Sequence, residues 1–358
     1  MSNIKVRQQT TFNMHGQTLW TGEPAAVTLD ESGIREKLHQ LEQPCIIIRD
    51  GNGRLGATNA TSQPHANGTA IQLEQIALAP AVSPTMLGDV EFCYFHGAKY
   101  AYMTGAMANG IASEELVIAL GKAGILGSFG AAGLVPARVE AAIQRIQEAI
   151  PNGPYAFNLI HSPSEENLER SSVELFLKHG INTVEASAFL GLTPHIVRYR
   201  AAGLSRTPSG DIIIANKVIA KISRREVATK FMEPAPDKML QALVAQGLIT
   251  AAQAEIAKQV PMADDITVEA DSGGHTDNRP LVCMLPSMIA LRDEIQAKYQ
   301  YARPIRVGAA GGISTPESAL AAFMMGAAYI VTGSVNQACL EAGASDHTKK
   351  LLAQAGMA

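Results

Sequence analysis

The sequence is poor in cysteine, aromatic residues and net charge, and each shortage argues against a class of protein. Its four cysteines lie far apart without a Cys-x-x-Cys pair, which argues against a zinc site or a disulfide framework. The formal net charge is only −4, which argues against a dedicated nucleic-acid-binding protein. The sequence contains no run of about 20 uninterrupted apolar residues and no apolar signal core near residue 1. We therefore expect a cytoplasmic protein without a metal site, whose partners include neither nucleic acid nor membrane.

The apolar content, in contrast, is high enough for a large folded core. Apolar residues make up 47% of the chain and charged residues 17%, so global disorder is not expected. A chain of 358 residues can form one large barrel or two modest domains. The order of the predicted strands and helices favours a small N-terminal unit followed by a barrel.

The N-terminal part, residues 1–95, predicts a small α/β appendage. Residues 31–41 have the pattern of a short helix. Two segments, residues 45–49 and 54–58, flank an Asp-Gly-Asn-Gly turn, which predicts a β-hairpin. These elements differ in composition from the rest of the chain, so we predict a separate N-terminal unit.

Beyond residue 95, strand-like and helix-like segments alternate. The strand-like segments are residues 99–103, 125–128, 155–160, 182–186, 211–220 (one or two strands), 267–270, 305–308 and 329–331. This alternation predicts parallel α/β architecture. About eight strands over roughly 240 residues favour a TIM (β/α)8 barrel over residues 96–358, although a doubly wound sheet has the same local pattern.

Residues 228–264 interrupt this alternation. They contain prolines around two helix-like segments, 238–244 and 250–259, which predicts a helical insertion. Insertions often lie over the active-site face of a barrel, so one interpretation is a lid or channel wall. The other interpretation is a surface hairpin without a role in the site.

Two glycine-rich loops near the C-terminus carry the strongest chemical signal. One strand-like run leads into Gly311 and Gly312, the next leads into Gly333 and Ser334, and a predicted helix joins them. Glycine leaves backbone N–H groups uncovered, and a helix N-terminus adds a positive dipole end. Two such loops after the seventh and eighth strands are typical of the phosphate site of a (β/α)8 barrel. We predict a phosphate-containing cofactor here; glycines that only end strands are the alternative.

A histidine follows the sixth strand-like segment. Gly273, Gly274 and His275 come directly after it, so the imidazole would reach the mouth of a barrel. Imidazole exchanges a proton near neutral pH, as a general acid or base must. A hydrogen-bonded structural histidine is the alternative.

Other strand ends carry residues suited to a flat ring. The first barrel strand ends in a segment that contains small residues, where a ring could lie against the backbone: Gly105, Ala106 and Met107. Asn158 stands between apolar residues near the end of the third strand and could hydrogen-bond a polar ring edge.

Lys217 and a cluster of basic residues are the remaining candidates. Lys217 lies in an apolar setting, where it could stabilise negative charge on a reduced ring or form a local ion pair with Glu185 or Glu269. The basic cluster either is a solvated face or docks an acidic carrier protein: Lys221, Arg224, Arg225 and Lys230.

Three segments of the sequence resemble a known group of enzymes. Residues 264–280, Asp-Asp-Ile-Thr-Val-Glu-Ala-Asp-Ser-Gly-Gly-His-Thr-Asp-Asn-Arg-Pro, resemble the PfaD-type trans-acting enoyl reductases of polyunsaturated fatty-acid and polyketide synthases. Residues 103–110 and 231–236 do so too, and the resemblance covers essentially the whole chain. These reductases belong to the 2-nitropropane dioxygenase-like family of flavin-dependent barrels. PfaD-type chains usually continue with a helical C-terminal region, which we expect to be truncated here.

The resemblance implies FMN as cofactor, NADPH as hydride donor, an enoyl thioester on acyl carrier protein as substrate, and a homodimer. The FMN phosphate would lie on the two glycine-rich loops, and the isoalloxazine ring would contact Gly105, Ala106, Met107, Asn158 and Lys217. Gly273 and Gly274 would adjoin the cofactor. His275 matches the active-site histidine of the family and would protonate the α-carbon or polarise the thioester carbonyl.

Other functions are compatible with the same sequence. A nitronate monooxygenase would use the same flavin site, with His275 as a base. A flavin-free isomerase would use the phosphate loops alone. A docking subunit of a synthase would bind carrier protein without catalysis.

The colour of the purified protein tests the cofactor prediction. We expect a yellow protein that releases FMN when it is denatured, measured by absorbance and chromatography of the released compound. A colourless protein that takes up no FMN on reconstitution would favour the flavin-free barrel.

Overall fold

The computed structural model describes residues 11–12, 18–63, 69–271 and 277–355. It divides into two compact units, with the boundary between Met86 and Leu87. The sequence places this boundary near residue 95, which falls inside helix α2 (Val90–His96). Helix α2 belongs to the second unit, because Phe92 is fully buried there and stacks on Tyr329 with 4.2 Å between the ring centroids.

The described part of the first unit is a five-stranded antiparallel sheet with one α-helix. The sheet order is β1-β2-β5-β3-β4, and the elements are β1 (Thr11–Phe12), β2 (Thr18–Gly22), α1 (Glu31–His39), β3 (Cys45–Arg49), β4 (Leu55–Thr58) and β5 (Ile71–Ala79). Trp20, Ile46 and Ile48 form its core, and the Trp20 indole N–H donates to the carbonyl of Ala60. The predicted hairpin is confirmed as β3 and β4.

Within the described residues, the second unit forms a closed barrel of eight parallel strands. In chain order, which is also the order around the barrel, these are β6 (Tyr102–Thr104), β7 (Leu126–Phe129), β8 (Tyr155–Ile160), β9 (Thr183–Ser187), β12 (Lys217–Ile222), β13 (Asp265–Glu269), β14 (Arg306–Ala310) and β15 (Ile330–Thr332). The helices that follow them are α3 (Glu114–Lys122), α4 (Pro136–Ala149), α5 (Glu166–Lys178), α6 (Pro194–Ala202), α7 (Arg225–Met232), α10 (Leu281–Tyr299), α11 (Pro316–Met324) and α12 (Asp346–Leu352). The predicted TIM barrel is confirmed. None of the helices in the described residues is both long and apolar enough to cross a lipid bilayer.

Local sequence explains where several barrel helices begin. The Ser113 hydroxyl accepts a hydrogen bond from the Leu116 amide and caps α3. Pro136 is the first residue of α4, where its missing N–H is not needed. Thr315 and Ser318 form a capping box at the start of α11, directly after the first glycine-rich loop.

The structure corrects the lid interpretation of residues 228–264. The first of these residues belong to α7, the ordinary helix after β12, and the additional helices are α8 (Asp237–Ala245) and α9 (Ala251–Ala257). Both pack on α6, and α9 also packs on the extra hairpin of β10 (Leu204–Arg206) and β11 (Ile212–Ile214). They connect a helix to the next strand, and such connections return to the N-terminal ends of the strands. The insertion therefore does not cover the C-terminal mouth of the barrel.

Charged side chains are buried at the N-terminal end of the barrel. The Arg306 guanidinium donates two hydrogen bonds to Asp265, at 2.6 and 2.9 Å, and His96 Nε2 lies 2.8 Å from the same carboxylate. Burial alone would raise the pKa of Asp265, but Arg306 and His96 lower it to about 2. Arg200 and Asp264 form a parallel pair at 2.7 and 2.9 Å. These ion pairs bind helix α2 and the starts of β13 and β14 together.

Replacement of Asp265 by Asn leaves the buried Arg306 without its counter-charge. Loss of one partner of a buried ion pair costs about 3–5 kcal/mol, and we expect a decrease of this size in the free energy of unfolding at pH 7, measured by urea denaturation. The control Asp293→Asn loses a pair with Arg292 whose carboxylate side chain is 64% exposed, and should cost less than about 1 kcal/mol.

The pH dependence of the difference in free energy of unfolding between the wild type and Asp265→Asn provides a second measurement. The folded pKa of about 2 lies below the ordinary value of 3.8, so the contribution of Asp265 is complete above pH 3.8 and is lost as the pH falls through 2. The difference between the wild type and Asp265→Asn should therefore be constant at neutral pH and shrink below about pH 4. A variant as stable as the wild type at pH 7 would contradict this account.

Candidate functional site

A cavity of about 520 Å³ opens at the C-terminal ends of the barrel strands. Because all eight strands are parallel, the loops that follow them meet at this one mouth. Residues 105–108 line the cavity after β6, Lys221 lines it from β12, and residues 310–314 and 331–335 line it from the C-terminal ends of β14 and β15 and the loops that follow. We call it the cofactor cavity.

Seven of the predicted cofactor-binding residues lie together in this cavity. They come from the loops after β6, β14 and β15 and are Gly105, Ala106, Met107, Gly311, Gly312, Gly333 and Ser334. These loops are distant in sequence, and the closure of the barrel brings them together. Their roles as ligands of a cofactor stay predictions.

Gly311 is required by its backbone conformation and by the space around it. Its φ of +94° lies in the left-handed region, which residues with a side chain rarely adopt. A Cβ atom at this position would lie 2.6 Å from the carbonyl oxygen of Ala270. Gly312 follows with a φ of +69°, so two consecutive glycines turn the chain at the cavity wall.

Lys221 lies between two carboxylates at the floor of the cavity. Its Nζ is 3.2 Å from Glu269 Oε1 and 3.9 Å from Glu185 Oε1. Glu185 is completely buried; its Oε2 accepts a 2.8 Å hydrogen bond from the Ala106 amide, while its Oε1 has no hydrogen-bond partner among the described residues. Burial alone would lower the pKa of Lys221, but the two carboxylates raise it above its usual value. The cavity floor therefore carries a charged ammonium in a water-poor setting.

Lys217 lies at the opposite end of the barrel. It is the first residue of β12, and its Nζ donates to the carbonyl of Phe95 and stands 4.7 Å from the centre of that ring. Burial lowers its pKa. The prediction that Lys217 lies beside the cofactor ring is therefore wrong. Lys221, four residues later on the same face of the strand, lines the cofactor cavity instead and makes the ion pairs with Glu185 and Glu269 that the sequence suggests for Lys217.

Asn158 is buried within β8 and hydrogen-bonds to the neighbouring strand β9. Its side-chain amide donates to the carbonyl of Glu185 at 3.1 Å and to the hydroxyl of Ser187 at 2.8 Å. It is not among the residues that line the cofactor cavity. The structure thus gives Asn158 a role in joining β8 to β9, next to the buried carboxylate.

The predicted catalytic His275 and the predicted cofactor-binding Gly273 and Gly274 lie outside the described residues. The residues on either side of this segment are described. Asp271 lines the cofactor cavity, and Asp277 accepts hydrogen bonds from Ser223 and Arg224 near the mouth. These hydrogen bonds hold the pKa of Asp277 well below its usual range.

Most of the basic cluster is neutralised within the protein. Arg224 pairs with Asp277 and Arg225 pairs with Glu294, while Lys221 belongs to the cavity floor. Lys230 Nζ donates to the carbonyl of Leu190 and forms no ion pair within the described part of the chain. The cluster is therefore not a continuous cationic face.

Comparison with known proteins gives two family matches. The model of the fatty acid synthase subunit PfaD N-terminal domain matches residues 20–81, and the nitronate monooxygenase model matches residues 94–358. The two matches follow each other along the chain and correspond to the two structural units.

Curated relatives and a solved structure extend the match. A polyunsaturated fatty acid synthase subunit of Thraustochytrium sp. is 45% identical over 99% of this chain and 23% of its own length. Polyketide biosynthesis protein PksE of Bacillus subtilis is 49% identical over 78% of this chain and 37% of its own length. The enoyl reductase domain of MlnA from Bacillus amyloliquefaciens is 42% identical, with a TM-score of 0.74 over 76% of this chain and 62% of that one. The chain thus spans about a quarter to a third of the length of these curated relatives.

A methyl group at Gly311 tests the cofactor cavity. We expect Gly311→Ala to weaken FMN binding at least about tenfold. A tenfold change in affinity corresponds to about 1.4 kcal/mol, and the strain at a positive φ together with the clash against the Ala270 carbonyl should cost more than that. The measurement is the quenching of FMN fluorescence by apoprotein.

The matched control is Gly247→Ala. Gly247 has a φ of +70°, but a methyl group at this position would meet no atom within 4 Å, and the residue stands between α8 and α9. This variant should lose stability through its backbone alone, with unchanged FMN affinity. Equal affinity in both variants would contradict the assignment of Gly311.

Proposed function

Because the chain belongs to the nitronate monooxygenase family and carries the PfaD N-terminal domain, we propose that it is an FMN-dependent enoyl reductase. It acts in trans on enoyl thioesters of acyl carrier protein in polyunsaturated fatty-acid or polyketide biosynthesis. The observation that carries the proposal is the cofactor cavity, where glycine-rich loops and a charged lysine meet in a chain 42% identical to an enoyl reductase domain.

The residues of the cofactor cavity fit FMN. Its volume of about 520 Å³ is that of a typical cofactor site. Gly311 and Gly312 on one side and Gly333 and Ser334 on the other offer backbone N–H groups and a hydroxyl to a phosphate. The crowding around Gly311 shows that the loop has no room for a side chain there. After β6, Gly105 and Ala106 have little or no side chain, so a ring can lie against the backbone there.

When bound, FMN would supply the redox chemistry, carrying a hydride from NADPH to the β-carbon of the enoyl thioester. The chain itself binds, orients and stabilises charge. Lys221 holds a positive charge at the cavity floor, where it stabilises negative charge that develops during reduction. Glu185 keeps Lys221 charged and fixes the Ala106 amide, so both groups are oriented before substrate arrives.

Protonation of the α-carbon needs an acid at the same mouth. We assign this role, or polarisation of the thioester carbonyl, to His275, on the basis of its match to the family histidine. Imidazole has a suitable pKa for proton exchange near neutral pH.

The partners follow from the relatives. One of them is a polyunsaturated fatty acid synthase subunit and another is a polyketide biosynthesis protein, which supports acyl carrier protein as the partner that delivers the substrate. NADPH is the proposed hydride donor, and a cytoplasmic homodimer is the proposed form.

A nitronate monooxygenase is the second candidate. The observation that favours it is the nitronate monooxygenase model, which matches residues 94–358 and so includes the whole cofactor cavity. It would use the same cavity with a nitronate as the reductant and oxygen as the second substrate.

Anaerobic stopped-flow absorbance of the flavin separates the two candidates. We expect NADPH to bleach the long-wavelength flavin band and crotonyl thioester on carrier protein to restore it. Nitronate, as the control, should leave the band unchanged. Bleaching by nitronate and none by NADPH would contradict the reductase and establish the monooxygenase.

The variant His275→Ala tests the proton donor in the same experiment. Loss of a general acid typically slows the chemical step by about 10²–10⁴-fold, so recovery of the band with crotonyl thioester should slow by that factor. FMN content and bleaching by NADPH should be unchanged. Recovery at the wild-type rate would remove His275 from the mechanism.

A further inference from the structure

Another cavity lies next to the cofactor cavity and shares a wall with it. Lys221 and Glu269 line both, so the ion pair between them stands where the two spaces meet. The second space, which we call the side cavity, has a volume of about 280 Å³. Its remaining described lining residues are Ala188, Phe189, Leu190, Ile222, Ser223, Arg224, Val227 and Asp277.

The apolar part of the side cavity is held firmly in place. Phe189 is 5% exposed, and its ring stacks on His161 and meets Phe231 edge-on, with centroid distances of 5.3 and 5.8 Å. His161 is fixed in turn by Glu169, whose Oε2 lies 2.9 Å from His161 Nδ1. Val227 is also buried. The wall is therefore a packed surface rather than a mobile side chain.

The polar residues of the side cavity are paired with one another. Arg224 donates two hydrogen bonds of 3.0 Å to Asp277, and the Ser223 hydroxyl donates to the same carboxylate at 2.7 Å. Lys221 is paired with Glu269. Because Arg224, Ser223 and Asp277 satisfy one another, they add little affinity for a polar ligand, and away from the cofactor cavity the side cavity suits an apolar one.

The backbone at Ala188 departs from ordinary geometry where this wall begins. Its φ is +62°, in the left-handed region that alanine rarely adopts. It directly follows β9 and precedes Phe189 and Leu190, which both line the side cavity. Strain of this kind persists where the surrounding structure enforces it, and it occurs preferentially at binding sites.

We propose that the side cavity binds the acyl chain of the enoyl thioester. The inference rests on the proposed function, since a chain in this cavity would start at the Lys221–Glu269 wall and thus beside the cofactor cavity. The volume of about 280 Å³ lies just below the range of ordinary ligand pockets, about 300–1,000 Å³, which suits a short chain. Longer chains leave past Leu190, whose side chain is 61% exposed at the rim.

Two substitutions alter the side cavity in opposite directions. Leu190→Trp adds bulk at an exposed rim position and should shorten the space, whereas Phe189→Leu should lengthen it. Leu320→Trp is the control for the first, because Leu320 is 48% exposed on α11 and lines neither cavity. Leu190 is exposed, so its substitution should leave folding intact.

Binding is measured by calorimetry on the FMN-loaded protein with butanoyl- and octanoyl-pantetheine, which cannot be reduced. Each methylene kept out of the cavity weakens binding about fourfold. We therefore expect Leu190→Trp to weaken octanoyl-pantetheine at least about tenfold and butanoyl-pantetheine less than about twofold. Phe189→Leu should shift the ratio of the two affinities in favour of octanoyl-pantetheine. Leu320→Trp should leave both affinities unchanged.

Reduction kinetics with C4 and C8 enoyl thioesters distinguish a failure of this inference from a failure of the proposed function. Suppose that the wild type reduces enoyl thioesters but that the ratio of the C8 rate to the C4 rate is the same in Leu190→Trp as in the wild type. The side-cavity assignment is then overturned and the reductase stands. If Leu190→Trp raises the KM for NADPH instead, the occupant is the nicotinamide, which also overturns it. If the wild type reduces no enoyl thioester, the proposed function fails and this inference fails with it.

Discussion

The site depends on the neutralisation of one carboxylate, that of Glu185. Glu185 has no exposed surface, and a carboxylate taken out of water without partners is strongly destabilising. The Ala106 amide and the Lys221 ammonium provide those partners. Because these residues come from β9, the loop after β6 and β12, the interaction joins three parts of the barrel mouth. It forms the floor of the cofactor cavity and, through Glu269, the wall shared with the side cavity.

The opposite end of the barrel uses buried charge for a different purpose. Asp265, Arg306 and His96 form a closed group beneath helix α2, and Arg200 with Asp264 adds a second pair. Neither group reaches the C-terminal mouth. The barrel thus separates ion pairs that hold the strands and α2 together from the ion pairs that line the cofactor cavity, as parallel barrels generally separate stability from activity.

The barrel and the glycine-rich loops are predictable from the sequence because their signals are local: alternating segments, and glycines at strand ends. The assignment of Lys217 failed because the sequence does not show where β12 begins. A shift of four residues keeps the same face of a strand but moves the side chain by about 13 Å, from one end of the barrel to the other. The lid interpretation failed for a related reason, since α8 and α9 follow a helix rather than a strand. The sequence offers Glu185 as an ion-pair partner of Lys217, and only the barrel shows that it faces Lys221 instead.

A crystal structure of the protein with FMN tests the central claim most directly. The account predicts the phosphate within about 3 Å of backbone nitrogens in the loops of Gly312 and Gly333. It also predicts the ring against residues 105–107, with the Lys221 ammonium at its polar edge. A phosphate bound away from these loops, or a ring that does not approach Lys221, would contradict it.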